Sequence, residues 1–356
     1  MDGDDGSVAL LASRAHDGDN PRASTRRRSP VTHDHSLESW NSRLRMSSFS
    51  EIRIATVSVA DLATASRFYR DSFGYVTLGA GDGSPAFLRA WQAPPGLAAR
   101  FEVLGRPGSR TGLLRLVEFS RPGEPIWGDY SRYQDHGYYI LNLRVPDLAA
   151  AWTRLLDNGA RARSAPTYWQ VTEEFGAWDS QCFDPSQVLL DVYQTTGRED
   201  VFPHFVGDAN DLETVAIHVA DAERSRRFYG ALGFEPLFDR TIANMGAFFH
   251  LPDHVRLRDV NLMQPGGPHV GCIEVVQLIG ARGESLRERA RPPNLGIFGI
   301  SIETESLGEA EGRIRDHGLE LIAGPLVTVT PPFGRVHSFT CYGPDGEMLA
   351  FFQRFA

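Results

Sequence analysis

The sequence predicts an α+β fold of four βαβββ modules, and three observations carry that prediction. A segment that reads strand then helix occurs twice, about 160 residues apart. A second pair of segments, each closing on a hairpin turn, interleaves with the first at the same spacing. Alternating apolar strands and amphipathic helices fill residues 51–356, whereas residues 1–50 hold no sustained apolar period.

In chain order, residues 1–50 are rich in Asp, Ser, Arg and Gly and read as a disordered tail, with Met46 a candidate start. Ile54–Ala60 alternates as a strand, and Asp61 then caps a helix carrying Ser66, Phe68 and Tyr69. Gly79–Gly83 departs from the G-x-G-x-x-G spacing of a dinucleotide loop and reads as a hairpin loop. Asp157-Asn158-Gly159 ends a second helix, and Asp184-Pro185 turns the last hairpin of the first half. From Val215 the text repeats: Val219-Ala220-Asp221 precedes Ser225, Phe228 and Tyr229. Asp316-His317-Gly318 and Gly343-Pro344-Asp345-Gly346 then stand where the earlier helix stop and turn stood. The expected divisions are a tail at 1–50, a first domain at 51–197, a linker at 198–209 and a second domain at 210–356.

Composition removes several function classes. The chain has 356 residues, 42% of them hydrophobic, and a formal net charge of -9 with no basic stripe, so nucleic acid is not an expected partner. There is no lysine, which excludes lysine Schiff-base chemistry and a P-loop lysine. Cys182, Cys272 and Cys341 are far apart and form no CxxC pair, so buried thiols are expected. No apolar run reaches membrane-spanning length and no signal-peptide core follows Arg26–Arg28, so the expected location is cytoplasmic.

The motif V-x-D…F-Y at Val59–Tyr69 and Val219–Tyr229, with D-P…Q at Asp184–Gln194 and G-P-D-G…E…Q at Gly343–Gln353, resembles the vicinal oxygen chelate superfamily of glyoxalases, bleomycin-resistance proteins and extradiol dioxygenases. The resemblance implies two tandem glyoxalase-like domains, two modules to each domain, whose curved sheets enclose a cleft for a small molecule. Homodimerisation stays open. It also implies a metal site of a His or Gln on a first strand and a Glu on a fourth strand. The matching first-strand positions are Ile54, Ile140, Thr214 and either Ile297 or Gly299; the fourth-strand positions are Arg115 or Leu114, Asp191, Glu274 and Ala350. No standard metal set results and no cofactor is signalled; a non-family divalent site using His218 and Glu274 stays open.

Glu274 alternates onto the same face as Cys272 and Val276, where apolar surroundings disfavour its charge, so it is the first candidate for proton transfer, with His218 and His337 behind it. Thr214 is placed to hydrogen-bond a substrate oxygen, and Phe249 and Phe298 to line a pocket for an aromatic ligand. Arg115 and Asp191 are expected to face each other as an ion pair across the first domain's cleft; a one-residue slip turns Glu118 inward instead. Two functions compete. One is an enzyme doing proton-transfer chemistry (isomerisation, epimerisation, cyclisation or elimination) on an oxygenated metabolite; the other is a binding protein that sequesters an antibiotic or aromatic metabolite. An extradiol dioxygenase is disfavoured because Thr214, Ile297 or Gly299, and Ala350 stand where its ligands belong.

Overall fold

The computed structural model describes residues 48–198, 207–242, 246–267 and 269–355. The expected tail up to residue 47 and most of the expected linker lie outside them.

Four modules follow one another. The first is β1 (Phe49–Val59), α1 (Leu62–Phe73), β2 (Val76–Asp82), α2 (Pro85–Ala90), β3 (Ala99–Gly105) and β4 (Leu113–Phe119). The second is β5 (Gly137–Arg144), α3 (Leu148–Asp157), β6 (Arg161–Gln170), β7 (Gly176–Phe183) and β8 (Leu189–Thr196). The third is β9 (Thr214–His218), α4 (Ala222–Ala231), β10 (Glu235–Ile242), α5 (Gly246–Phe249), β11 (Arg256–Met263) and β12 (Cys272–Ile279). The fourth is β13 (Gly296–Thr304), α6 (Leu307–Asp316), β14 (Leu321–Thr330), β15 (Gly334–Tyr342) and β16 (Met348–Arg354).

The repeated motif residues do repeated structural jobs. Asp61, Asp147 and Asp221, the acids of V-x-D, each accept a hydrogen bond from a first-turn amide of α1, α3 or α4, a cap worth about 1 kcal/mol. Ser306 does the same for α6. Gly74 ends α1 in the left-handed conformation (φ 68°) that a side chain would resist. The tyrosines of F-Y reach the last hairpins: Tyr69 donates to Asp184 (3.0 Å) and Tyr229 to Glu347 (2.7 Å), both bonds buried. Each bond joins two modules of the same sequence half.

The sheets, by contrast, join opposite halves. Sheet one runs β14-β15-β16-β13-β1-β4-β3-β2 and sheet two runs β10-β11-β12-β9-β5-β8-β7-β6. Their seams are antiparallel pairs, β1 with β13 (Ala55 opposite Ile300) and β5 with β9 (Asn142 opposite Thr214). The expectation that two consecutive modules close one cleft is therefore corrected: each curved sheet takes one module from each half. The physical reason is that the first strands of all modules are runs buried on both faces, so their local pattern does not select one partner over another.

Gly79–Asp82 lies in β2, not in a hairpin loop. A side chain at Gly79 would put its Cβ 2.3 Å from that of Pro331, so glycine here permits close approach of the segment after β14. Among the described residues no helix is long and apolar enough to cross a membrane.

Candidate functional site

The two sheets use their concave faces differently. In sheet one the face is occupied by aromatic side chains: Trp91 packs edge-on against Phe119 (6.2 Å) and Phe298 (5.6 Å), and Phe87 against Trp91 (5.0 Å). Helix α2 is fastened over them, since Thr340 donates to the carbonyl of Ala90 (3.0 Å) and Tyr342 to Gln92 (3.0 Å). Phe298 is thus a core residue, and His337 lies away from any cleft, stacked on Phe355 at 4.1 Å.

Arg115 belongs to this aromatic packing. It is 2% exposed, sits 5.2 Å from the Phe87 ring centroid and 5.7 Å from that of Phe101, and its Nε and Nη2 have no hydrogen-bond partner. Burial alone lowers its pKa to about 9. The expected ion pair with Asp191 does not form, because Asp191 stands on β8 in the other sheet. Of the two registers the Arg115 one holds; Glu118 faces the helix side, accepting from the Leu62 amide (2.8 Å) and from Arg100.

Sheet two encloses a cavity of about 100 Å³, partly open to solvent. Asp191 and Glu274, the fourth-strand acids of different halves, both line it, with Thr214, His218 and Phe249. The sequence reading missed the residues facing those acids. On β7 and β11, directly opposite Asp191 and Glu274, stand Gln181 and Asn261, and two residues earlier on each strand come Asp179 and Asp259. The signal was present as a repeat, Asp179-Ser180-Gln181 and Asp259-Val260-Asn261.

Four carboxyl groups thus meet in one apolar-walled space as two pairs. Burial, then the neighbouring Asp179, pushes Asp191 well above the usual carboxylate range. Burial, then Asp259, does the same to Glu274, with Asn142 opposing. The amide of Asn142 on β5 donates to Glu274 Oε2. Burial also raises Asp179 and Asp259, and Asp259 is partly held in its charged form by Arg240, 3.0 Å away. The Arg240 guanidinium lies 4.5 Å from the ring centroids of both Trp169 and Phe238. Close carboxyls in low dielectric cannot all ionise, so burial and mutual repulsion favour the form of each pair that keeps a proton.

The two cavity histidines are set in opposite states. His218 stacks on Tyr139 at 3.9 Å, and burial drives its pKa down to about 3. Its Nδ1 bonds the Tyr133 carbonyl (2.9 Å), so that nitrogen carries the proton and Nε2 is the acceptor. His218 is therefore neutral and no proton shuttle near pH 7. His269 lies on Glu213 (2.9 Å); burial opposes its charge, but Cys272 and Glu213 outweigh that and hold its pKa up to about 10. Glu213 also accepts from Arg144 (2.6 Å), Tyr193 (2.7 Å) and Asn210 (2.7 Å), a fully enclosed charge that is fully bonded.

The donor set does not fit the metal centre that the superfamily resemblance implies. Ile140 and Thr214 stand at the first-strand ligand positions of this cavity, and among the described residues no group of three His, Cys, Asp or Glu is arranged to hold an ion. His218 keeps its Nε2 open beside Tyr139, and among the described residues no third His, Cys, Asp or Glu is arranged with it and Glu274 around an ion.

Four βαβββ modules in two curved sheets match the vicinal oxygen chelate fold, and acids stand on two of the four fourth strands, Asp191 on β8 and Glu274 on β12. Residues 52–192 match the family model described as Glyoxalase/Bleomycin resistance protein/Dioxygenase superfamily. A single-residue variant of glyoxalase I from Zea mays is 16% identical, covering 85% of this chain and 92% of that one with TM-score 0.58. The unsubstituted Zea mays enzyme gives TM-score 0.55 over the same shares at 16% identity. A candidate dioxygenase from Bacillus subtilis is 12% identical, covers 86% of each chain and gives TM-score 0.54. No curated protein matches the sequence. The resemblance read from the motifs holds, by sequence across the first half and by fold across the described residues.

Proposed function

We propose that this protein is an enzyme that moves a proton on an oxygenated small molecule held in the cavity of sheet two, with isomerisation, epimerisation, cyclisation or elimination as the outcome. The supporting observation is the two carboxyl pairs, Asp179 with Asp191 and Asp259 with Glu274, facing one apolar-walled space. A carboxyl group kept neutral at pH 7 donates a hydrogen bond to a developing oxyanion. Asp191 takes that role, so the electrophile that the missing metal ligands left unexplained comes from the protein itself. Within the second pair the shared proton moves to Asp259, and Glu274, whose charged form the Asn142 amide favours, then takes the substrate proton. Thr214 offers a further hydroxyl on the same wall.

A binding protein is the second reading, favoured by Ile140 and Thr214 at positions where relatives carry metal ligands. The two part in D2O. Carbonyl compounds that bind the chain in calorimetry are incubated with it, and proton NMR follows the carbon next to the carbonyl. Deuterium enters that carbon of at least one bound compound if the chain is the enzyme; binding throughout with no exchange contradicts the enzyme reading and leaves the binder.

A further inference from the structure

Among the buried atoms without a partner that line the cavity of sheet two, acceptors outnumber donors. Asn142 Oδ1, Gln181 Oε1, Asp179 Oδ1, Asp191 Oδ1 and Asp259 Oδ1 are buried without a partner, and all five residues line the cavity. Gln181 is 1% exposed and Asn142 6%, so water does not reach these amides freely. Among the described lining residues the unpartnered buried donor is Arg240 Nε, whose guanidinium lies against the rings of Trp169 and Phe238. A proton shared between Asp179 and Asp191 relieves a carboxyl oxygen. It does nothing for the two amide oxygens, which only accept. Buried acceptors left unpaired are costly, and the two amide oxygens, with the carboxyl oxygens that the shared protons do not reach, call for a ligand that brings donors.

The kind of donor follows from what else is missing. A hydroxyl brings one hydrogen and two acceptor lone pairs, so it meets one acceptor and adds others. An ammonium group brings three donors and no acceptor. The remaining wall is aromatic, with Tyr139, Trp169, Phe175, Phe238 and Phe249 placed to hold a flat apolar body. We propose that the ligand of this cavity carries a protonated amine on an aromatic body, the ammonium donating to Asn142, Gln181 and Asp179 while the rings hold the rest. This inference rests on the proposed function only in placing the ligand in sheet two; it does not depend on any reaction occurring there.

The test uses the full chain and three probes with one ring system and different ends: tryptamine, tryptophol and indole-3-acetate. Calorimetry at pH 7 should give tryptamine an affinity about tenfold or more above tryptophol, with indole-3-acetate weakest. Gln181→Leu, checked for folding by circular dichroism, should cut the preference for tryptamine over tryptophol and leave tryptophol binding nearly unchanged. Equal affinities, a preference for the acetate, or no binding of any probe overturns the proposal on the wild-type chain alone. Stoichiometric Mn2+ binding that Asp191→Asn abolishes overturns it too, by giving the oxygens to a metal. Solvent exchange and amine preference are separate readouts, so either proposal can fail while the other stands.

Discussion

The amide of Asn142, on β5 of the first sequence half, donates to Oε2 of Glu274, on β12 of the second. That bond favours the charged carboxylate against burial and against Asp259, which favour the neutral acid. Asn142→Leu removes the donor, so the carboxyl pKa moves further up. The limb of the pH–rate profile that reports this proton should then shift to higher pH, measured as the rate of solvent exchange against pH. An unmoved limb would show that Glu274 does not carry the titrating proton.

The two halves should depend on each other. Because β1 pairs with β13 and β5 with β9, a separate first half (47–197) exposes the seam edges of both sheets. Expressed alone, each half should aggregate or self-associate, and the halves 47–197 and 210–356 expressed together should co-elute as one particle in size-exclusion chromatography. Two stable, separate monomers would contradict the sheet pairing described above.

His269 makes stability depend on pH in a defined window. Its folded pKa, about 10, lies above its ordinary value of 6.5, so its contribution is complete below about 6.5 and is lost as pH rises through 10. Between pH 7 and 10 the Tm of the wild-type chain should fall more steeply than that of His269→Gln, whose side chain does not titrate. Parallel curves in scanning calorimetry would mean that the imidazolium–Glu213 contact does not form.

Arg115 points the other way. An enclosed guanidinium with two unpartnered nitrogens and only aromatic rings around it costs more to desolvate than those rings return. Replacing it by an apolar side chain of similar length relieves roughly 1–4 kcal/mol. Arg115→Met should therefore raise Tm by a few degrees and leave ligand binding in sheet two unchanged. A lower Tm would show that the guanidinium has a function in sheet one.

Much of this was legible in the residues. Asp61 and Asp221 cap the helices that V-x-D announces, and Asp184-Pro185 turns the hairpin where the turn residues stand. Asp191, Glu274, Thr214, His218 and Phe249 do line one cavity. What local pattern does not carry is which equivalent strand pairs with which, and that choice put Asp191 beside Glu274's cavity and sent Arg115 and Phe298 into the other sheet. Asp179 and Asp259 were hidden for a related reason: a polar residue on a strand gains meaning only when the strand opposite is known.

The central claim is that Glu274 accepts the substrate proton, and Glu274→Gln tests it most directly. The amide keeps the shape of the side chain and its place beside Asn142 but no longer takes up a proton near neutrality. Exchange of solvent deuterium into a bound carbonyl compound should fall by roughly 10²–10⁴-fold, while the affinity for that compound changes little. Exchange at the wild-type rate in the Glu274→Gln chain, with binding intact, would contradict the account.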